Sequence, residues 1–88
     1  MATYKELFFK AIDQLVEKSG KEYSEDYIRE KIRQEIKIEE QRISYSNQPK
    51  YESMKDKFEK FYENLDILSL TEIVVIVKNL IDCMIDDE

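Results

Sequence analysis

The side chains that could do chemistry in this sequence are few. The 88 residues include no His, and Cys83 is the single Cys. Nucleophilic catalysis normally pairs the nucleophile with a His base, so Cys83 lacks the usual partner. Cys83 is predicted at the margin of an apolar helix face, where a free Cys is most often a small structural residue. We therefore predict no catalytic residues and a protein that is not an enzyme.

The sequence also lacks the residue patterns of the common metal and cofactor sites. Zinc sites use clustered Cys and His side chains, and di-iron helical bundles need Glu-x-x-His pairs, which this composition cannot provide. The acidic residues near the C-terminal end lack the spacing of a calcium-binding loop, and Gly20 alone cannot form a phosphate-binding loop. Glu39 and Glu40 are expected to lie on an exposed, charge-rich helix face. We predict no metal and no cofactor.

One row of cations could contact nucleic acid. Arg29, Arg33 and Lys37 recur at helical spacing, which would place them in one ridge facing a phosphate backbone. However, the net charge is −6 and the pI is about 4.7, whereas a nucleic-acid-binding domain normally has a basic surface. A dimeric nucleic-acid-associated regulator is therefore the alternative function rather than the first. A partial DNA mimic is a further alternative, because residues 65–88 carry six acids and one base, Lys78.

Helices must position these side chains. The chain has one Gly and one Pro, and its apolar residues recur at helical spacing. The first helix is predicted over about residues 3–18, with Thr3 and Glu6 as a capping box and Ser19-Gly20 as its stop. Its broad apolar arc comprises Tyr4, Leu7, Phe8, Ala11, Ile12, Leu15 and Val16.

The second helix is predicted over about residues 24–43, with Ser24 as its N-cap. A narrow apolar stripe indicates a helix on the outside of a bundle, and its members are Ile28, Ile32, Ile36 and Ile43. A loop over residues 44–49 follows, and Pro49 suits the first turn of the next helix.

The third helix is predicted over about residues 50–64 from apolar residues at alternating spacings of three and four, namely Tyr51, Met54, Phe58, Phe61, Leu65 and Leu68. The fourth is predicted over about residues 70–85, starting with a capping box of Ser69 and Glu72. Residues 73–77 are β-branched and have strand propensity. We predict helix there, because no second candidate strand exists to pair with them.

The predicted fold is all-α: a small, compact bundle of four helices forming a single domain over residues 1–88, with a frayed acidic tail at residues 86–88. The N-terminal residues do not resemble a signal peptide, and the longest apolar run is far shorter than the ~20 residues that cross a bilayer. A cytoplasmic protein without a membrane partner is therefore expected.

Some apolar side chains have no place in the predicted core. Tyr27, Ile38 and Tyr45 form a second stripe on the second helix, about 90° from the isoleucines. Phe9 lies at the edge of the first apolar arc, and Val75 stands among polar residues of the fourth helix. These five residues are the predicted partner-binding residues. The alternative interpretation is that the second helix packs between two neighbours and that Phe9 belongs to the rim of the core.

The sequence therefore predicts a non-catalytic protein-binding module, such as a small inhibitor, adaptor or regulatory protein. Its partner would be another protein of unknown identity or a second copy of the chain. Comparable size and helical make-up occur among phage-encoded inhibitors of host enzymes and bacteriocin immunity proteins. No motif of either group is matched, so the analogy is only one of class.

Overall fold

The computed structural model describes residues 2–85. Within that range, four α-helices follow one another: α1 (Tyr4–Glu17), α2 (Glu25–Ser46), α3 (Gln48–Asn64) and α4 (Leu70–Met84), with a 3₁₀ turn (Leu65–Ile67) between α3 and α4. The predicted all-α, four-helix bundle is confirmed, and residues 73–77 are helical. The predicted fraying of residues 86–88 lies outside the described residues.

The helix starts follow the capping residues of the sequence. The hydroxyl oxygens of Thr3 and Ser24 accept hydrogen bonds from the Glu6 and Tyr27 amides, at 3.1 and 3.2 Å. Ser69 and Glu72 form the predicted reciprocal capping box at the start of α4. These bonds satisfy backbone donors that the first turn of a helix leaves unpaired.

A tight turn separates α1 from α2. Gly20 has a φ of +76°, in the left-handed region that glycine adopts at little cost. The Gly20 amide donates to the Tyr23 carbonyl at 2.8 Å, and the Glu22 amide donates to the Lys18 carbonyl at 3.0 Å. The predicted stop at Ser19-Gly20 is therefore close to the observed end of α1 at Glu17.

The connection between α2 and α3 is shorter than the predicted loop over residues 44–49. Only Asn47 is non-helical there, because α2 continues to Ser46 and α3 begins at Gln48. The hydroxyls of Ser44 and Ser46 donate to carbonyls of the preceding turn, a bond that lets serine remain in a helix. Asn47 ends α2, and its side chain accepts the Lys50 amide to cap α3. Pro49 lies in the first turn of α3, as predicted.

The core lies between all four helices. Helix α2 packs against each of the other three, and α1 also packs on α4. Helix α2 is thus more central than its narrow apolar stripe suggests. The buried hydrophobic residues are Phe8, Ile12, Ile28, Ile32, Ile36, Ile43, Met54, Phe58, Phe61, Leu65, Leu70, Ile73, Val77, Leu80, Ile81 and Met84.

Helix α1 buries less of its apolar arc than predicted. Phe8 and Ile12 are buried and Leu15 and Val16 are half-buried, whereas three other members of the arc, Tyr4, Leu7 and Ala11, are exposed. The arc is wider than the surface that α2 and α4 cover, so its outer edge stays in solvent. Two ion pairs fix the other edge against α4: Lys5 with Asp82 at 3.3 Å and Lys78 with Asp13 at 3.1 Å.

None of the helices in the described part of the chain is both long enough and apolar enough to cross a membrane.

Candidate interaction surface

The outer face of α2 carries three of the predicted partner-binding residues. Because Ile28, Ile32, Ile36 and Ile43 point into the core, helical geometry turns the opposite positions to solvent. Tyr27 is 42% exposed, Ile38 51% and Tyr45 97%. These three residues are called the α2 stripe below.

The positions between them on the same face are Lys31, Gln34, Gln41 and Arg42, of which all but Lys31 are exposed. Two uncharged and two cationic side chains therefore separate the apolar residues of this face.

The N-terminal end of the stripe is held in place by ring contacts. The Tyr27 ring stacks on the Tyr23 ring, with centroids 4.5 Å apart. The Lys31 ammonium lies 5.8 Å from the Tyr27 centroid, within cation–π distance. Tyr23 was missed by the sequence analysis, although it precedes Tyr27 by four residues. Helical periodicity did not predict Tyr23, because α2 starts only after Ser24 and Tyr23 lies in the preceding turn.

Two exposed apolar residues lie on the first two turns of α1. The Tyr4 hydroxyl donates to Glu39, and the Arg42 guanidinium lies 5.0 Å from the Tyr4 ring centroid. These contacts place the first turn of α1 beside the C-terminal half of α2. Leu7, one turn after Tyr4, is exposed as well. The α2 stripe together with Tyr4 and Leu7 is called the α1/α2 surface below.

Glu39 anchors α2 to α1, contrary to the predicted exposed position. It is only 6% exposed. Its carboxylate accepts from the Tyr4 hydroxyl and from Arg42 Nη1, at 3.0 and 3.1 Å for the two oxygens. Arg42 Nη1 also donates to the Tyr4 hydroxyl at 2.6 Å. The prediction was wrong because Tyr4, 35 residues away, supplies the partner that makes burial of this carboxylate tolerable.

Glu40 anchors α2 to α3 in the same manner. It accepts from the Tyr62 hydroxyl at 2.7 Å and from the Tyr51 hydroxyl at 3.3 Å, and it is half-buried rather than exposed. Burial, and then the hydrogen bond to Glu40, raises the pKa of Tyr62 above its ordinary value. Adjacent glutamates thus attach α2 to α1 and to α3, which holds the outer face of α2 in a fixed orientation.

Phe9 and Val75 lie away from the α2 stripe. Phe9 is half-buried against the core, with the Lys78 ammonium 5.7 Å from its ring centroid, so it belongs to the seam between α1 and α4. Val75 is 56% exposed on α4. The structure therefore does not bring the five predicted residues into one site.

Two residues of the predicted cationic ridge, Arg29 and Arg33, are half-buried against the protein, whereas Lys37 is exposed. Arg29 Nη2 donates to the Leu68 carbonyl at 3.0 Å, and Arg33 Nη2 pairs with Asp66 at 3.3 Å. The Lys37 ammonium lies 5.5 Å from the Tyr62 ring centroid. Arg29 and Arg33 therefore hold the connection between α3 and α4 against α2, and Lys37 contacts α3.

Three acidic residues between positions 65 and 85 also form contacts within the protein. Asp66 pairs with Arg33, and Asp82 pairs with Lys5. The Glu72 carboxylate accepts the Ser69 amide at 3.1 Å, and this hydrogen bond lowers the pKa of Glu72. An acidic patch that imitates DNA would need these carboxylates free.

Cys83 is exposed and not part of the core, contrary to the prediction. It lies on the side of α4 that faces α3, where its Sγ is 3.9 Å from Lys57 Nζ. Among residues 2–85, no three Cys, Asp or Glu side chains come together in a way that could hold a metal ion.

Comparison with known proteins adds no family: no family model, no curated protein and no solved structure matches the chain. Function is therefore inferred from the surfaces of the bundle.

Proposed function

We propose that the chain is a non-catalytic protein-binding module, and that its partner covers the α1/α2 surface. The observation that carries this proposal is the set of large apolar side chains left exposed on two adjoining helices: Tyr4, Leu7, Tyr27, Ile38 and Tyr45. Such a cluster costs solvation free energy in the isolated protein, and it typically marks an interaction surface.

The free energy of side-chain burial favours a binding surface that includes both α1 and α2. Full burial of one large apolar side chain contributes about 1.5–3 kcal/mol, so the three residues of the α2 stripe contribute at most about 9 kcal/mol. Association itself costs about 4–15 kcal/mol. Burial of Tyr4 and Leu7 on α1 would add to this contribution, so the proposal includes both helices.

The rigidity of Tyr27 and Tyr4 also supports the α1/α2 surface as the binding site. Tyr27 is held by Tyr23 and Lys31, and Tyr4 is held by Glu39 and Arg42. Side chains that are already ordered lose little rotamer entropy on binding. Tyrosine is favoured at interfaces because it combines a rigid apolar ring with a hydroxyl that can remain hydrated.

A small inhibitor, adaptor or regulatory protein would act through this surface by covering or positioning its partner. The nucleic-acid alternative has less support, since Arg29 and Arg33 are committed to intramolecular contacts. A phosphate backbone would have to displace those contacts before it could bind.

The first experiment is affinity capture of the tagged chain from its native cells, comparing the wild type with a Tyr27→Ala/Ile38→Asp variant. Both positions are exposed, so the variant should retain the wild-type helical circular dichroism spectrum. We expect capture to fall about tenfold or more, because central interface residues contribute about 2 kcal/mol or more each. Quantitative mass spectrometry of the captured proteins is the measurement.

The matched control is Ile67→Asp, which places the same charge at an 80% exposed apolar residue on the 3₁₀ turn, outside the α1/α2 surface. This variant should capture the same partner as the wild type. Equal capture by a folded Tyr27→Ala/Ile38→Asp variant would show that the α1/α2 surface is not the binding site. Light scattering identifies the case in which the partner is a second copy, since the wild type is then dimeric and the double variant monomeric.

A further inference from the structure

A groove between α3 and α4 lies outside the α1/α2 surface. It has a volume of about 380 Å³, and its floor consists of Phe61, Leu68, Ile76 and Leu80. Phe61 and Leu80 are core residues, whereas Leu68 and Ile76 are half-buried and present part of their side chains to the groove. The floor is therefore a continuous apolar strip between two helices.

The walls of the groove differ in charge. Lys57 and Lys60 stand on the α3 wall, and Asn79 and Cys83 stand on the α4 wall. Within residues 2–85, no carboxylate lies within ion-pair distance of either lysine, and the Cys83 Sγ lies 3.9 Å from Lys57 Nζ. Most other cations described above are engaged by carboxylates or rings. A positive wall beside an apolar floor is complementary to a ligand that is apolar along its length and anionic on one side.

The length and volume of the groove fit a small ligand. The lining of the α3 wall runs from Lys57 to Asn64, which is about 10 Å of helix at ~1.5 Å per residue. The groove volume of about 380 Å³ lies within the range of small-molecule sites, which begin at about 300 Å³.

We propose that the α3/α4 groove binds a small amphiphilic anion: an aliphatic or flat apolar body with a carboxylate or similar acid at one side. The apolar body lies along Phe61, Leu68, Ile76 and Leu80, and the acid meets Lys57 and Lys60. This proposal goes beyond the protein-binding function and does not depend on it, since the two surfaces share no residue.

Octanoate is the probe, because it has one carboxylate and an unbranched apolar chain. Octanol and octyltrimethylammonium, which have the same chain with a neutral or cationic head, are the comparison ligands. Binding is followed by backbone amide chemical shifts and by the rate at which a neutral maleimide alkylates Cys83. Cys83 is the only thiol in the chain, so this rate reports on the groove without background.

We expect saturable octanoate binding that shifts amides of residues 57–64 and 76–83 and slows alkylation of Cys83 severalfold. The Lys57→Gln/Lys60→Gln variant should bind octanoate about fivefold or more weakly, because each exposed charge pair contributes up to about 1 kcal/mol. The matched control is Lys21→Gln/Lys55→Gln, which removes the same charge from exposed positions outside the groove and should bind normally.

Three results with octanoate would overturn the proposal. They are equal binding of octanoate and octyltrimethylammonium, unchanged affinity in the Lys57→Gln/Lys60→Gln variant, and amide shifts centred on another part of the bundle. Protection of Cys83 that grows with protein concentration in the absence of octanoate would also overturn it, since a second copy would then cover the groove. Octanoate binding by the Tyr27→Ala/Ile38→Asp variant separates this proposal from the first one.

Discussion

Two tyrosine–glutamate contacts determine how α2 is oriented. The Tyr4 hydroxyl donates to Glu39 from α1, and the Tyr62 hydroxyl donates to Glu40 from α3. Hydrogen bonds to a carboxylate are stronger than those between neutral groups, and they have a preferred geometry. Each bond therefore stabilises the bundle and also fixes the rotation of α2 about its axis.

Replacing Tyr62 by Phe removes the hydroxyl and leaves the ring in place. We expect the free energy of unfolding at neutral pH to fall by about 1–2 kcal/mol, because half-buried Glu40 loses its shorter hydrogen bond. Urea unfolding is the measurement. Tyr45→Phe is the matched control, since Tyr45 is 97% exposed, and it should leave the stability unchanged. Equal effects of the two substitutions would contradict this role for Tyr62.

The raised pKa of Tyr62, caused first by burial and then by the bond to Glu40, predicts a loss of stability in alkali. The folded chain keeps the Tyr62 proton at pH values where the unfolded chain, with a tyrosine pKa near 10, has released it. Folding then takes up a proton, so the contribution of Tyr62 to the free energy of unfolding is constant below about pH 10 and falls as the pH rises above that value. In Tyr62→Phe the decline should be shallower. Urea unfolding at several pH values between 8 and 11 measures both slopes.

At the scale of the elements, Arg29 and Arg33 attach α2 to the 3₁₀ connection between α3 and α4. Arg29 satisfies the Leu68 carbonyl at 3.0 Å, and Arg33 pairs with Asp66. Leu68 immediately precedes the capping box that starts α4. The two arginines therefore help to set where α4 begins relative to α2.

The substitution Arg29→Ala should lower the free energy of unfolding by about 1–3 kcal/mol, because the Leu68 carbonyl loses a charged donor. Thermal unfolding monitored by circular dichroism is the measurement, with Lys55→Ala, an exposed residue of α3, as the control. If Arg29→Ala left stability intact and instead changed retention on immobilised DNA, the cationic ridge would regain its nucleic-acid interpretation.

Local sequence patterns predicted the elements better than the contacts between them. Capping residues such as Ser24 and Ser69 lie next to the helices that they start, so the helix starts could be predicted. The position of Glu39 could not, because its partner Tyr4 lies on another helix. The exposure of Leu7 was missed for the same reason: it depends on how much of α1 the neighbouring helices cover. Exposure at Tyr27, Ile38, Tyr45 and Val75 was predicted from helical periodicity alone.

At the scale of the whole molecule, the bundle is flat, with Cα extents of 39 × 35 × 18 Å. Helices α1 and α4 are far apart in sequence and are joined by the Lys5–Asp82 and Lys78–Asp13 pairs. The α1/α2 surface and the α3/α4 groove are formed by different pairs of helices. A partner bound to either surface would therefore leave the other surface accessible.

The single non-helical residue between α2 and α3 makes the bundle sensitive to insertions and deletions at one place. One added residue at Asn47 would rotate α3 by about 100° relative to α2 and turn Met54, Phe58 and Phe61 away from the core. One added Gly in the turn between Lys18 and Ser24 lengthens a connection, at a loop-closure cost below the ~0.6 kcal/mol of a doubled loop length. Thermal unfolding of the two Gly-insertion variants should therefore show a near-normal midpoint for the turn and loss of the cooperative transition for Asn47.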